Sequence, residues 1–250
     1  MKHTKNFVWI NIFTFILTLL VNFLATNLPL NNITTREISD SFNIYFVPAG
    51  YVFAIWGVIY LGLLGFSIYQ GLPAQKGNER IARIGWLFAL SNIANAAWLV
   101  SFHHQQFALA LVFMLVLLAA LLVIFLRLKI GMEKPASVTE NWLVDVPFST
   151  YLGWITVATI ANVTQVLYVL NWNGFGINPQ LWAVIMLGAA VVISALMSFT
   201  RRNIPHALVL VWAFVGIAVK FPAEPLVSYS AWAAAGLVAA FVVYARFFNK

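Results

Sequence analysis

FALALVFMLVLLAALLVIFLRL, residues 107–128, carries one ionisable side chain, Arg127, next to its end. Wound as an α-helix at about 1.5 Å per residue, it is roughly 33 Å long. That crosses a hydrocarbon core of ~30 Å. It has no polar face to turn toward water, so a surface helix of a soluble domain is the wrong reading. The stretch reads as a transmembrane helix.

The rest of the chain agrees. Of its 250 residues, 62% are hydrophobic and 8% are charged. Soluble domains carry about 25% charged residues. A soluble fold of this size must keep too large a surface wet to hide so much apolar area. Seven further apolar runs follow the same logic: Phe7–Leu28, Gly50–Gln70, Ile81–Phe102, Val146–Leu170, Leu181–Thr200, Ile204–Phe221 and Tyr229–Phe248. Pro, Gly and Asn punctuate the gaps, as at Asn31-Asn32, Gly71-Leu72-Pro73, Asn173-Gly174 and Pro222 to Pro225. The expected fold class is all-α, a polytopic transmembrane bundle of eight spans.

Charge placement gives the expected orientation. Basic residues gather on the cytoplasmic side of membrane proteins. Lys2, Lys5, Lys76, Arg80, Arg83, Arg127, Lys129, Lys134, Arg201, Arg202, Arg246 and Lys250 fall at one set of helix ends, and only Arg36 and Lys220 at the other. This alternation needs all eight spans and puts both termini in the cytoplasm. The formal charge of +7 is thereby explained by loops, not by nucleic acid. The first run is long for a signal peptide and lacks a small-x-small cleavage site, so it is read as a span.

Several chemistries are excluded. There is no cysteine, hence no disulfide or thiolate nucleophile. No acidic residue lies deep in a run, which leaves proton pumps and voltage sensors without their buried charges. No paired carboxylates or Ser/His/Asp set appears. His103-His104 is the one histidine pair. It could ligate haem, but adjacent residues on a turn diverge, and a polar turn is the preferred reading.

What the runs contain instead is stripes. Asn11, Thr14, Thr18 and Asn22 step by threes and fours along helix one. Phe53, Trp56 and Tyr60 align on helix two, Ser91, Asn95, Trp98 and Phe102 on helix three, and Tyr151, Trp154, Ala158, Asn162 and Gln165 on helix five. Amides are costly in lipid unless paired, so these faces should point inward. Aromatic bodies beside amides suit a flat apolar ligand. Ordinary helix-to-helix bonding, at ~0.6 kcal/mol per contact, accounts for the amides equally well. Trp9, Trp142, Trp172 and Trp182 fit an interfacial belt.

The stretch Pro48-Ala49-Gly50-Tyr51-Val52-Phe53-Ala54-Ile55-Trp56, running on to Tyr60, resembles the second helix of the tryptophan-rich sensory proteins. This is the translocator protein, or peripheral benzodiazepine receptor, family. Asn95-Ala96-Ala97-Trp98 with Phe102 is similar to the family's third helix. Tyr151-x-x-Trp154-x-x-x-Ala158-x-x-x-Asn162, with Asn171 trailing, is similar to its fifth. The family's Pro-Pro is Pro48-Ala49 here, and the Pro that precedes Tyr in helix five is displaced to Pro147.

The resemblance implies a five-helix core over 1–172 and an extension of three helices over 173–250. It also implies an intra-bundle pocket for a porphyrin, haem or sterol-like molecule. The pocket residues it implies are Phe53, Trp56, Tyr60, Asn95, Trp98, Tyr151, Trp154, Ala158 and Asn162. No cofactor is required; haem or porphyrin enters as ligand. A membrane receptor or carrier in a bacterial cytoplasmic membrane is the leading functional reading. A secondary transporter of a small solute and a membrane enzyme acting on a tetrapyrrole or lipid are the alternatives. The steps Ala235/Ala239 and Gly236/Ala240 would let helix eight pack closely on a neighbour, which allows a homodimer.

Overall fold

The structure, a computed structural model, describes residues 2–27 and 30–247. Leu28 and Phe248, the expected ends of the first and last runs, lie outside the described residues, as do Lys250 and the side chains of Lys2 and Lys5. Eight long helices account for the eight apolar runs: α1 (Lys2–Asn27), α2 (Ile55–Gly71), α3 (Leu87–His103), α4 (Phe107–Arg127), α5 (Val146–Val169), α6 (Pro179–Arg201), α7 (Ile204–Lys220) and α8 (Pro225–Phe247). No strand occurs among the described residues. The protein is a polytopic helical bundle, and six stretches are long and apolar enough to cross a bilayer: Phe7–Asn27, Gly50–Gly71, Phe107–Arg127, Val138–Val169, Pro179–Arg201 and Pro225–Phe247.

The other two helices, α3 and α7, each have 17 residues, the lower end of what spans a bilayer. The sequence places one run over Ile81–Phe102. The structure breaks it: a short helix, Glu79–Ala82, ends at Arg83, and Gly85 at φ +58° lies in the turn before α3 begins. A residue without Cβ adopts that conformation at least cost.

Two compact units divide the chain. The first holds residues 1–35 and 56–152. In it α1 packs on α3, and α3 and α4 form a helical hairpin. The face of α1 turned to α3 is polar. Asn11 donates to Gln70 Oε1 (3.2 Å) and Gly85 O (3.1 Å) and accepts from the Ala89 amide (3.1 Å). Thr18 donates to Asn92 O at 2.9 Å. The opposite face, Trp9, Phe13, Ile16, Leu20 and Phe23, is exposed. A helix with amides inside and large apolar groups outside is built for lipid. Phe15, Phe66, Phe88 and Phe148 fill the unit's centre, with ring centroids 4.9–6.0 Å apart.

One end of this unit is held by charge. Arg80 donates to Glu140 Oε1 at 3.0 Å, to Asp145 Oδ1 at 2.7 Å, and twice to Leu128 O at 3.1 and 3.2 Å. All three ionised side chains are largely buried. Burial alone would lower the Arg80 pKa, but the two carboxylates outweigh it and raise it. The stretch carrying them widens into a π turn, Asn141–Asp145, just ahead of Pro147. Proline has no amide hydrogen to donate into the preceding turn, which accounts for the irregularity.

The second unit holds residues 36–55 and 153–250. Here α6, α7 and α8 pack together around Leu187, Ala190, Leu210, Phe214, Ile217 and Val238. Gly153 of α5 lies so close to α7 that a Cβ would sit 2.9 Å from His206 O. Asp40 and Lys220 form an ion pair.

Candidate functional site

In the first unit, the expected pocket residues of α2, α3 and the start of α5 come together. Trp56 stacks on Tyr60 (5.4 Å, 20°) one turn further along α2. It stacks also on Trp98 of α3 (6.1 Å, 28°) and meets Tyr151 edge-on at 6.0 Å. Trp98 continues the row to Phe102 at 5.4 Å, and Phe102 to Phe107 at 5.6 Å. Trp98 and Tyr151 are buried, while Trp56 and Tyr60 are half-buried.

An amide sits beside the rings. Asn95 is fully buried and donates through Nδ2 to the Tyr151 hydroxyl at 2.9 Å. Its Oδ1 accepts from Asn22 Nδ2 at 3.0 Å and from the Tyr60 hydroxyl at 3.4 Å. Asn22 is absent from the pocket that the resemblance implies. Its signal was the stripe on helix one, which gave its face but not its partner.

In the second unit, Phe53 and Trp154 meet edge-to-face at 5.9 Å. The turn that carries Phe53, Gly50–Ala54, is seated on α7. Trp212 Nε1 donates to Val52 O at 3.1 Å, and the Tyr51 ring lies edge-on to Trp212 at 5.2 Å. The Ala49 amide donates to Gly216 O at 3.0 Å. Ala49 stands where the resemblance has a second proline, and a proline there could not donate. Gly216 has no Cβ because one would overlap Val52. Neither Trp212 nor Gly216 figures among the residues singled out in the sequence, because only the fold brings α7 to this turn. Ala158 and Asn162 lie on α5, where Asn162 Nδ2 donates to Ala158 O at 3.0 Å.

His103 is no turn residue. It is fully buried, with Nδ1 3.1 Å from Leu30 O and Nε2 2.8 Å from Thr35 Oγ1. A carbonyl can only accept, so Nδ1 carries the proton and Nε2 accepts from the Thr35 hydroxyl. Both ring nitrogens are engaged in holding the loop after α1. Among the described residues no group of three or more His, Cys, Asp or Glu is placed to hold a metal ion.

The rings supply stacking area and the amide cluster supplies directed hydrogen bonds. Flat apolar surface beside oriented polar groups is the composition of small-molecule sites in general. A model of the family described as TSPO-like protein matches residues 8–244, which takes in α6, α7 and nearly all of α8 as well as the first five helices. No curated protein and no solved structure matches the chain.

Proposed function

This chain belongs to the TSPO-like protein family, and on that premise we propose that it is a membrane receptor or carrier for a flat hydrophobic ligand of the porphyrin class. It is an integral membrane protein of the TSPO type. The observation that carries the ligand reading is the Tyr60–Trp56–Trp98 row with Asn95 beside it. Interfacial tryptophans gather at span ends, at headgroup level. The rings of this row stack on one another around a buried amide, an arrangement that suits a planar π-system with a polar edge. The split of basic residues between helix ends supports a cytoplasmic-membrane location with both termini inside.

Circular dichroism of added protoporphyrin tests the reading. The free macrocycle is achiral, so a saturable signal in its main absorption band reports a chiral site. We expect that signal with the wild type in lipid nanodiscs and its loss in Trp56→Ala. Equal signals from the two proteins would count against the aromatic row as the site.

A further inference from the structure

The hydrogen bonds of the first unit have a direction, and it can be traced from a backbone carbonyl outward. Thr18 O can only accept, so the Asn22 atom 2.9 Å from it is the amide nitrogen. That same nitrogen lies 3.0 Å from a side-chain atom of Asn95, which must therefore be oxygen. The other arm of Asn95 is then nitrogen, and it donates to the Tyr151 hydroxyl oxygen at 2.9 Å. The orientation of both amides is fixed by this chain of necessity. Tyr60 conforms to it, since its hydroxyl donates to the same Asn95 oxygen at 3.4 Å.

The two tyrosines end with opposite polarity. Tyr60 spends its proton on Asn95 and offers lone pairs. Tyr151 accepts from Asn95 and keeps its proton, and among the described residues Asn95 is its one side-chain hydrogen-bond partner. A buried hydroxyl proton needs an acceptor. Tyr151 holds its ring edge-on to Trp56, a half-buried member of the row.

Resting on the ligand-binding reading above, we propose that Asn22, acting through Asn95, sets Tyr151 as a hydrogen-bond donor to the ligand. The site therefore selects flat molecules that carry an acceptor oxygen, a carboxylate or ester carbonyl, at the edge lying by Trp56. Asn22 and Asn95 are positioning residues; Tyr151 makes the contact.

The test compares two uncharged porphyrins that share one macrocycle: protoporphyrin dimethyl ester, which has carbonyl acceptors, and etioporphyrin, which has only alkyl groups. Dissociation constants are measured with the full chain in nanodiscs. The wild type should favour the ester by about tenfold, the worth of one buried hydrogen bond. Tyr151→Phe should bring the ratio to about one, chiefly by weakening the ester. Asn95→Asp keeps the shape but replaces the donor arm with an acceptor, so the Tyr151 proton turns inward and the ratio should again fall to about one. Asn22→Leu frees the amide to flip and should give an intermediate ratio. A role confined to packing would change both affinities together and leave the ratio alone. A wild-type ratio near one, or a ratio that survives Tyr151→Phe, overturns the proposal while the receptor reading stands. Failure of both porphyrins to bind the wild type overturns the receptor reading and this proposal with it.

Discussion

Replacing Arg80 by Met is the perturbation whose cost the structure fixes most firmly. The guanidinium makes four hydrogen bonds, to Glu140, to Asp145 and twice to Leu128 O. Glu140 and Asp145 are almost fully buried and face this one cation. Glu140 has a further donor in the Ala136 amide at 2.9 Å, which alone does not neutralise it. Removing one partner of a buried ion pair costs ~3–5 kcal/mol, chiefly because an uncompensated charge is left behind. Here two carboxylates are left, so Arg80→Met should fall at the upper part of that range. Arg80→Lys cannot reproduce the fork that spans three acceptors and should cost ~1–3 kcal/mol. The combined Arg80→Met, Glu140→Gln, Asp145→Asn protein should recover most of the loss, since no charge then remains to be buried. Reversible unfolding in mixed micelles with rising SDS fraction, followed by Trp fluorescence, measures all three. An Arg80→Met loss below about 1 kcal/mol, or a combined protein as unstable as the single one, would refute the reasoning.

Three further outcomes are expected. Ala49→Pro fits the local backbone, whose φ is −59°, yet removes the donor to Gly216 O, and should destabilise by ~1–3 kcal/mol in the same assay; a neutral result would show that this bond does not seat the turn on α7. Gly153→Ala puts a Cβ 2.9 Å from a backbone oxygen, which cannot swing aside, and should cost ~1–3 kcal/mol of overpacking; unchanged stability would mean α5 and α7 part easily. The Glu133 carboxyl is held down to about 2 by Lys129 and Arg83. Its folded value is depressed, so its support of the loop is present above the ordinary value of 4.5 and is lost as pH falls toward about 2. A carboxylate ¹³C shift titration of Glu133 checks this, and a midpoint near 4.5 would contradict it.

The helices were legible in the sequence because lipid imposes long apolar runs, and all eight runs became helices. The inward faces were legible too. Asn11, Thr14 and Thr18 are buried as their spacing requires, and Trp9, Phe13 and Ile16 are exposed opposite them. Partners were harder to see. Periodicity says which way Asn22 points but not that Asn95 stands there, because the two are 73 positions apart along the chain. Arg80 read as one of many loop cations, and only the approach of Glu140 and Asp145 makes it structural. His103 read as half of a polar turn, since nothing local shows that the loop after α1 folds back over it. Ala49 read as a departure from a proline pattern. The hydrogen bond from its backbone N–H to Gly216 O ties this turn to α7, a helix that the family match includes.

The central claim is that the Trp56–Trp98 row is a ligand surface rather than packing alone. The most direct measurement is an equilibrium titration of the full chain in nanodiscs with protoporphyrin, following tryptophan fluorescence, beside Trp56→Ala and Trp98→Phe. Saturable quenching is expected in the wild type, lost in Trp56→Ala and weakened in Trp98→Phe, with all three proteins equally folded by far-UV dichroism. Unsaturable quenching, or saturable quenching identical in the three proteins, would contradict it.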